Sequence, residues 1–268
     1  MTTNPQRATA LVTGASSGIG AVYADRLARR GHPLVLVARD AERLNALAAR
    51  LRAETGVSAE VLVADLTRPD ALDRVAARLA EPDVGLLVNN AGMALSDTLA
   101  ESTPEQVARL LALNVGAPTR LAAVAARAFA LRGGGEIVNI GSVLALATER
   151  FEPAYAATKA FVLTLSQGLA ATEAARGIYV QAVLPGATRT EIWARSGKDI
   201  DAFPPEMVME VDDMVDAALA GFDARETVTI PALPDAGQWQ AYEAARLAMG
   251  PNLSLRDPAA RYRAAAAA

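Results

Sequence analysis

Tyr155 and Lys159 bracket the stretch Tyr-Ala-Ala-Thr-Lys, a spacing that on a helix sets a phenol and an ammonium on one face. The chain holds five tyrosines and two lysines among 268 residues, so chance supplies such a pair only about 0.04 times. A phenol of pKa about 10 is a poor acid or base at neutral pH unless a nearby cation stabilises the phenolate, which Lys159 can do. Ser142 lies 13 residues before Tyr155, just after the apolar run 136–140, where it can hold a substrate oxygen while Tyr155 gives or takes its proton. Taken alone, the trio reads more readily as a surface Tyr/Lys pair beside a capping serine. What else lies at the same end of the fold decides the matter.

The stretch TALVTGASSGIGA, residues 9–21, has two incompatible readings. Gly14 to Gly18 fits Gly-x-Ser-x-Gly, the turn that presents the nucleophile of serine hydrolases. That chemistry needs a histidine base, and the only histidine, His32, falls beyond the helix that starts in the motif, at the far end of the sheet from Ser16. A Walker phosphate loop fails as well, because no Gly-Lys-Ser/Thr follows. A dinucleotide turn survives: Gly14 permits a tight bend, Gly18 and Gly20 let backbone approach phosphate and sheet, and the helix dipole attracts the anion. The spacing is Gly-x-x-x-Gly-x-Gly, so a glycine-rich turn without a ligand stays open on this stretch alone.

These residues need elements to position them. Short apolar, β-branched runs recur at 8–13, 33–38, 59–64, 84–89, 136–140, 178–184 and 227–230, most of them patterned for burial on both faces. Between them lie helical stretches with recognisable ends: one from 18 to 30 stopped by Gly31 and Pro33, one opened by Thr103-Pro104-Glu105-Gln106 and reaching 131, and one over 153–176 ended by Gly177. Alternating strand and helix predicts a doubly wound parallel sheet in a three-layer α/β sandwich of Rossmann type, with ligands at the carboxyl ends of the strands. Composition agrees: 52% hydrophobic residues fill a sizeable core, and a net charge of −4 offers no broad basic field for nucleic acid. The absence of Cys and the single His argue against a metal site. No leader and no run of about 18 apolar residues is evident, so a cytoplasmic protein with no membrane partner is expected, its partner a small molecule. Of 26 basic residues only Lys159 and Lys198 are lysines, which marks each for attention.

In their order along the chain, Thr13-Gly14-x-x-x-Gly18-x-Gly20, Asn89-Asn90-Ala91-Gly92, Asn114, Ser142, Tyr155-x-x-x-Lys159 and Pro185-Gly186-x-x-x-Thr190 resemble the short-chain dehydrogenases/reductases, in their short single-domain branch, over about residues 8–230. The resemblance implies that Tyr155 is the proton donor/acceptor, that Ser142 polarises the carbonyl, and that Lys159 binds the nicotinamide ribose and depresses the Tyr155 pKa. Asn114 is implied to kink its helix and hold a water in a proton relay. Coenzyme contacts are implied for Gly14, Ser16, Ser17, Gly18, Ile19, Gly20, Asp65, Leu66, Asn89, Ala91, Gly92, Pro185, Gly186, Thr188 and Thr190, besides Tyr155 and Lys159, while Asn90 is assigned to the sheet. At the end of strand two, where an acidic residue would accept the ribose hydroxyls of NAD, stand Ala38 and Arg39, so NADP(H) is favoured. Asp40 reads as the cap of the next helix.

The expectation is an oxidoreductase interconverting a hydrophobic ketone or aldehyde and its alcohol. The rival, a non-catalytic NADP-binding redox sensor on the same fold, has no need of a polarised phenol. An epimerase or dehydratase of the longer branch needs a larger C-terminal domain than the residues after the last strand provide. A single domain over 1–268 is expected, with 190–212 as a substrate lid and 232–268 as an extension containing an amphipathic helix. Trp193, Phe203, Met207 and Met209 of the lid, with Met93, Leu144 and Phe151, are candidates to line an apolar pocket, and Met93, Leu144, Phe151 and Trp193 are taken as the substrate contacts. Arg150 and Arg189 leave room for one carboxylate at the rim. The Ala-rich outer faces of the helices 104–131 and 153–176 predict a homodimer or homotetramer.

Overall fold

Each apolar run becomes a strand in the computed structural model, which describes residues 7–263 apart from the side chain of Arg150. In chain order the elements are β1 (Thr9–Thr13), α1 (Gly18–Arg29), β2 (Leu34–Ala38), α2 (Ala41–Thr55), β3 (Ala59–Val63), α3 (Pro69–Ala80) and β4 (Val84–Asn89). There follow α4 (Pro104–Leu111), α5 (Ala117–Leu131), β5 (Gly135–Ile140), α6 (Pro153–Glu173), β6 (Ile178–Val183), α7 (Ile192–Arg195), α8 (Val211–Asp223), β7 (Val228–Thr229) and α9 (Ala236–Ala248). The strands pair in parallel in one sheet of order β3-β2-β1-β4-β5-β6-β7. Strand order reverses between β1 and β4, so their carboxyl ends diverge into a crevice.

The sheet is covered on both faces, as expected of a Rossmann-type sandwich. One core packs Tyr23, Leu27, Leu44, Leu51, Met214 and Leu219 of α1, α2 and α8 on it, and the other packs Val75, Leu79, Leu121 and Phe129 of α3 and α5. All five residues of β1 are buried. Two-faced burial fails at the edge strand β3, where Glu60 and Val63 are exposed because only β2 flanks it.

Local chemistry sets the helix ends. Asp40 accepts the Arg43 amide, Thr103 and Gln106 close a capping box, and Gly31 and Gly177 take left-handed φ values of 85° and 76°. The stretch 104–131 is not one regular helix, since a π-turn at Ala112–Gly116 separates α4 from α5. Contrary to the sequence expectation, the continuous helical stretch Pro104–Leu131 is long and apolar enough to cross a bilayer by length and composition. Leucine, valine and alanine together supply that hydropathy, and Ala117, Leu121, Ala125 and Phe129 pack on the sheet. His32 Nδ1–H donates to the Ala8 carbonyl at 2.8 Å, beside the amino end of β1, so it stands away from the glycine turn as expected.

The chain divides into two compact units, Met1–Pro231 and Ala232–Ala268. In the second, Asp235 caps α9 and Trp239 stacks on Tyr242, yet no residue of α9 is buried.

Between the sheet and α5–α6 runs a buried polar chain. Asn89 Nδ2 donates to Asn139 Oδ1 at 2.9 Å and to the Pro118 carbonyl at 3.2 Å, Asn139 Nδ2 donates to Ser166 Oγ at 2.9 Å, and Ser166 Oγ donates to the Val162 carbonyl at 2.7 Å. Removing the central member leaves buried groups short of partners. Asn139→Ala should therefore lose about 1–3 kcal/mol in urea unfolding; an unchanged midpoint would show that the chain adds no net stability.

Candidate active site

Two strand ends build the first half of the site. Gly14 and Gly18 sit at φ 68° and 52°, a region that side chains with a Cβ avoid. A Cβ on Gly20 would collide with the Gly14 carbonyl oxygen and lie 2.5 Å from Asn90 Nδ2, so only glycine lets α1 start this close to the turn. Asn90 Nδ2 donates to the Thr13 carbonyl at 2.9 Å, and the Asn90 and Ala91 amides donate to Thr13 Oγ1 at 2.9 and 3.0 Å. Thr13 and Asn90 thus clasp β1 to β4 at the switch point. Ser17 occupies the N-cap of α1 without capping it, and the first turn carries no acidic residue, which leaves backbone amides and the positive helix end facing the crevice. Across it, a Cβ on Gly18 would meet Thr190 Cγ2 at 3.2 Å, so the turn after β1 and the loop after β6 touch.

Asn90 serves the sheet as expected, tying β4 to β1 and the glycine turn, whereas the Asn89 amide, expected beside the coenzyme, is turned into the sheet–helix chain. Strand alternation could have found this, because Asn89 pairs in register with Asn139 and its neighbour must face the other way. Leu66 lies in one core with Ala91 packed against it, and Ile19 packs against the other core. Asp65 accepts the amide and hydroxyl of Thr67 at 3.0 and 2.7 Å. Those bonds, with Arg39 and Arg109 nearby, hold its carboxyl below the usual range against the opposing effect of burial. Arg39 is exposed and makes no ion pair or hydrogen bond among the described residues, while Asp40 is occupied as the α2 cap.

The second half comes from β5 and α6. Ser142 caps the 3-10 turn Val143–Ala145, accepting the Leu144 amide at 3.2 Å, and the Val143 amide donates to the Pro185 carbonyl at 3.0 Å. Tyr155 stands in the first turn of α6, whose cap Glu152 accepts the Ala154 and Tyr155 amides at 2.7 Å each. Lys159 Nζ donates to the Ile140 carbonyl at 2.9 Å and lies 5.6 Å from the centre of the Tyr155 ring. A Cβ on Gly92 would lie 3.7 Å from Lys159 Nζ and 3.4 Å from Asn114 Oδ1, so all three meet. Asn114 sits in the π-turn. Its Oδ1 accepts the Met93 amide at 2.9 Å, and its two amide protons go to the Met93 carbonyl at 2.8 Å and Thr158 Oγ1 at 3.1 Å. Thr158 Oγ1 donates in turn to the Tyr155 carbonyl at 2.7 Å. Glu152, Thr158 and Thr13 were given no role by spacing; Glu-Pro ahead of Tyr155 is a helix-start signal that could have found the first.

Burial sets the electrostatics. It pushes the Lys159 ammonium down from 10.5 to about 8 and pushes the Tyr155 phenol up. The phenol is therefore protonated at neutral pH, contrary to the expected depression by Lys159, because burial alone raises its pKa.

Over this floor lies the segment 190–212. Thr188 bridges to Met209, the Arg189 amide donates to the Met209 carbonyl, and Arg189 pairs with Asp201 and Glu210 at 2.7 and 3.0 Å. Arg189 is thereby occupied rather than free for a carboxylate, and the side chain of Arg150 lies outside the described residues. Buried Thr188 donates to the Gly186 carbonyl, and Trp193 Nε1 donates to the Thr188 carbonyl at 2.8 Å. Edge-to-face contacts join Tyr155 to Phe151, Phe151 to Trp193 and Trp193 to Phe203, with centroid distances of 5.5, 6.2 and 5.1 Å. Met93 and Leu144 are half-buried. Two lid residues depart from expectation: Met207 is exposed, and Met209 packs on the sheet core instead of a pocket.

Strand order, switch point and glycine turn define a Rossmann-type protein with a Ser, Tyr and Lys set at the carboxyl end of its sheet. The chain belongs to the short-chain dehydrogenase/reductase family: residues 8–201 match the family described as short chain dehydrogenase. It is 57% identical to a short-chain dehydrogenase from Sphingobium yanoikuyae solved in complex with NADPH, with a TM-score of 0.93, covering 96% of this chain and 100% of that one. It is 50% identical to the bulky-bulky ketone specific alcohol dehydrogenase from Comamonas testosteroni, with a TM-score of 0.89, covering 96% and 99%. Human 17-beta-hydroxysteroid dehydrogenase type 3 is 33% identical over 184 residues, 68% of this chain, and the matched region spans only 59% of that relative's length.

Desolvating Lys159 costs on the order of 3 kcal/mol by the size of its shift. Unfolded chains bind the extra proton between about pH 8 and 10.5, so the penalty is full below pH 8 and fades as pH rises through that window. Lys159→Met should raise stability at pH 7 by about 1–2 kcal/mol, the penalty less the bond to Ile140. Its advantage should shrink from pH 8 to 10, and turnover should vanish. A destabilised variant at pH 7 in urea titration would reverse the sign assigned to the buried charge.

Proposed function

We propose that the protein is an NADP(H)-dependent oxidoreductase interconverting a hydrophobic ketone or aldehyde and the corresponding alcohol. The observation that carries this reading is the junction of Lys159, Gly92 and Tyr155 at the same end of the sheet as the glycine turn. Bound coenzyme supplies or accepts hydride at the carbonyl carbon. The backbone amides at the start of α1 and the glycine turn hold its pyrophosphate, and the unpaired Arg39 takes the 2′-phosphate in a bidentate grip. The relative solved with NADPH supports that choice.

In reduction Ser142 donates a hydrogen bond to the carbonyl oxygen, and Tyr155 passes its phenolic proton to that oxygen as the C–O bond becomes an alcohol. Charged Lys159 and the amino end of α6 stabilise the phenolate left behind. A raised phenol pKa suits the donor of this direction. Asn114 spends both amide protons on Met93 and Thr158, so it positions the floor, and a relay water finds its acceptors on the π-turn backbone. Phe151, Trp193 and Leu144, with Met93, form an apolar wall for a bulky ketone, in line with the relative described as bulky-bulky ketone specific. The lid, the extension 232–268 as part of one functional chain, a cytoplasmic setting and a homodimer or homotetramer through the outer faces of α5 and α6 complete the reading.

The test is reduction of a panel of bulky ketones with NADPH. Tyr155→Phe should lose two to four orders of magnitude in turnover while still quenching on NADPH binding. Arg39→Ala should weaken NADPH by roughly 10- to 100-fold and NADH by less than about twofold. Substantial turnover in the first variant, or equal losses for both coenzymes in the second, would refute the respective assignment.

A further inference from the structure

The second of the two lysines lies on the lid. Lys198 Nζ donates to the Leu95 carbonyl at 3.0 Å and stands 4.5 Å over the centre of the Phe151 ring, and its amide donates to the Trp193 carbonyl at 2.9 Å. Those contacts fix a half-buried ammonium against three segments of the wall: the loop after β4, the loop before α6 and the lid itself. Phe151, beneath it, is in edge contact with Tyr155.

Lys198 pairs with no carboxylate among the described residues. Arg189, at the base of the same lid, is held by Asp201 and Glu210, and Arg195 is held by Glu191. An ammonium has three N–H groups, and the Leu95 carbonyl takes one. A cation that is partly desolvated, anchored and unneutralised attracts an anion several-fold more strongly than one in bulk water. The rest of the wall is apolar, so the matching ligand is long and hydrophobic, with one negative end.

We propose that Lys198 is a specificity-determining residue that takes the carboxylate of a hydrophobic keto acid while the remote ketone of the same molecule meets Ser142 and Tyr155. The inference rests on the reductase reading and narrows its substrate class to one in which reducible carbonyl and acid are separated by an apolar spacer. Phe151 sets that spacer, since its ring stands between the phenol and the ammonium.

The experiment compares 5-oxo-5-phenylpentanoate with its methyl ester, matched in shape and differing in charge, as substrates with NADPH. Wild type should show a higher kcat/KM for the acid, and 0.5 M NaCl should erode that preference. Lys198→Met should raise KM for the acid roughly 10- to 100-fold and change the ester less than about twofold, with Lys198→Arg recovering most of the loss. The ester serves as the control for folding of each variant. Equal losses for acid and ester would make Lys198 a packing pin of the lid and overturn the proposal. Wild type that reduces the ester as well as the acid overturns it too, and leaves the reductase reading standing. No NADPH-dependent reduction of either compound overturns both.

Discussion

The structure depends on how closely β1 and β4 can approach at their carboxyl ends. Where strand order reverses, neighbouring connections leave in opposite directions, and nothing in the parallel ladder itself holds the two ends together beyond the last strand bond. Here the closure is made by side chains: Thr13 Oγ1 receives two amides from the turn after β4, and the Asn90 amide returns a bond to the Thr13 carbonyl. The geometry is tight enough that a single added carbon on Gly20 meets backbone. Everything downstream inherits this: α1 begins where its amides face the crevice, and Gly92 is carried to the position where Asn114 and Lys159 join it.

A second constraint opposes the first. Folding removes the Lys159 ammonium from water and gives it one carbonyl, a poor exchange for a hydration shell. The surrounding polar chain, from Asn89 through Asn139 to Ser166 and from Asn114 to Thr158, keeps every buried partner satisfied around that penalty. The stability of the sheet–helix interface and the reactivity of the phenol are thus two sides of one arrangement.

Much of this was legible in the sequence where the controlling interactions are local. Gly31, Gly177, Asp40 and the Thr103–Gln106 box act within one helical turn, and each did what its type and spacing predict. The seven strands were legible because burial on both faces leaves an apolar signature, and Tyr155 with Lys159 because a helix converts spacing into a shared face. Long-range polar choices were not. Thr13 and Asn90 are 77 residues apart, so no local spacing announces that they meet. The π-turn around Asn114 falls where Gly116 and Pro118 interrupt the helix, which is a local signal, but the bonds that fix the Asn114 side chain there, to Met93 and Thr158, are tertiary. Lid methionines were equally ambiguous: Met207 and Met209 share a type, yet one faces solvent and the other the core.

The lid also closes on itself. Its two ends meet at the Thr188–Met209 bridge and its interior is tied to that neck through Arg189. An excursion tied off at its neck behaves as a cassette: the chain enters and leaves at nearly one point, and the sheet beneath registers little of what happens between. Insertions, deletions and exchange inside 199–208 therefore act on ligand preference, whereas Thr190, Glu191 and Arg195, which touch Gly18, Arg43 and Ser17, belong to the coenzyme floor. New selectivities can be drafted there by recombination, with the glycine turn left out of the edit.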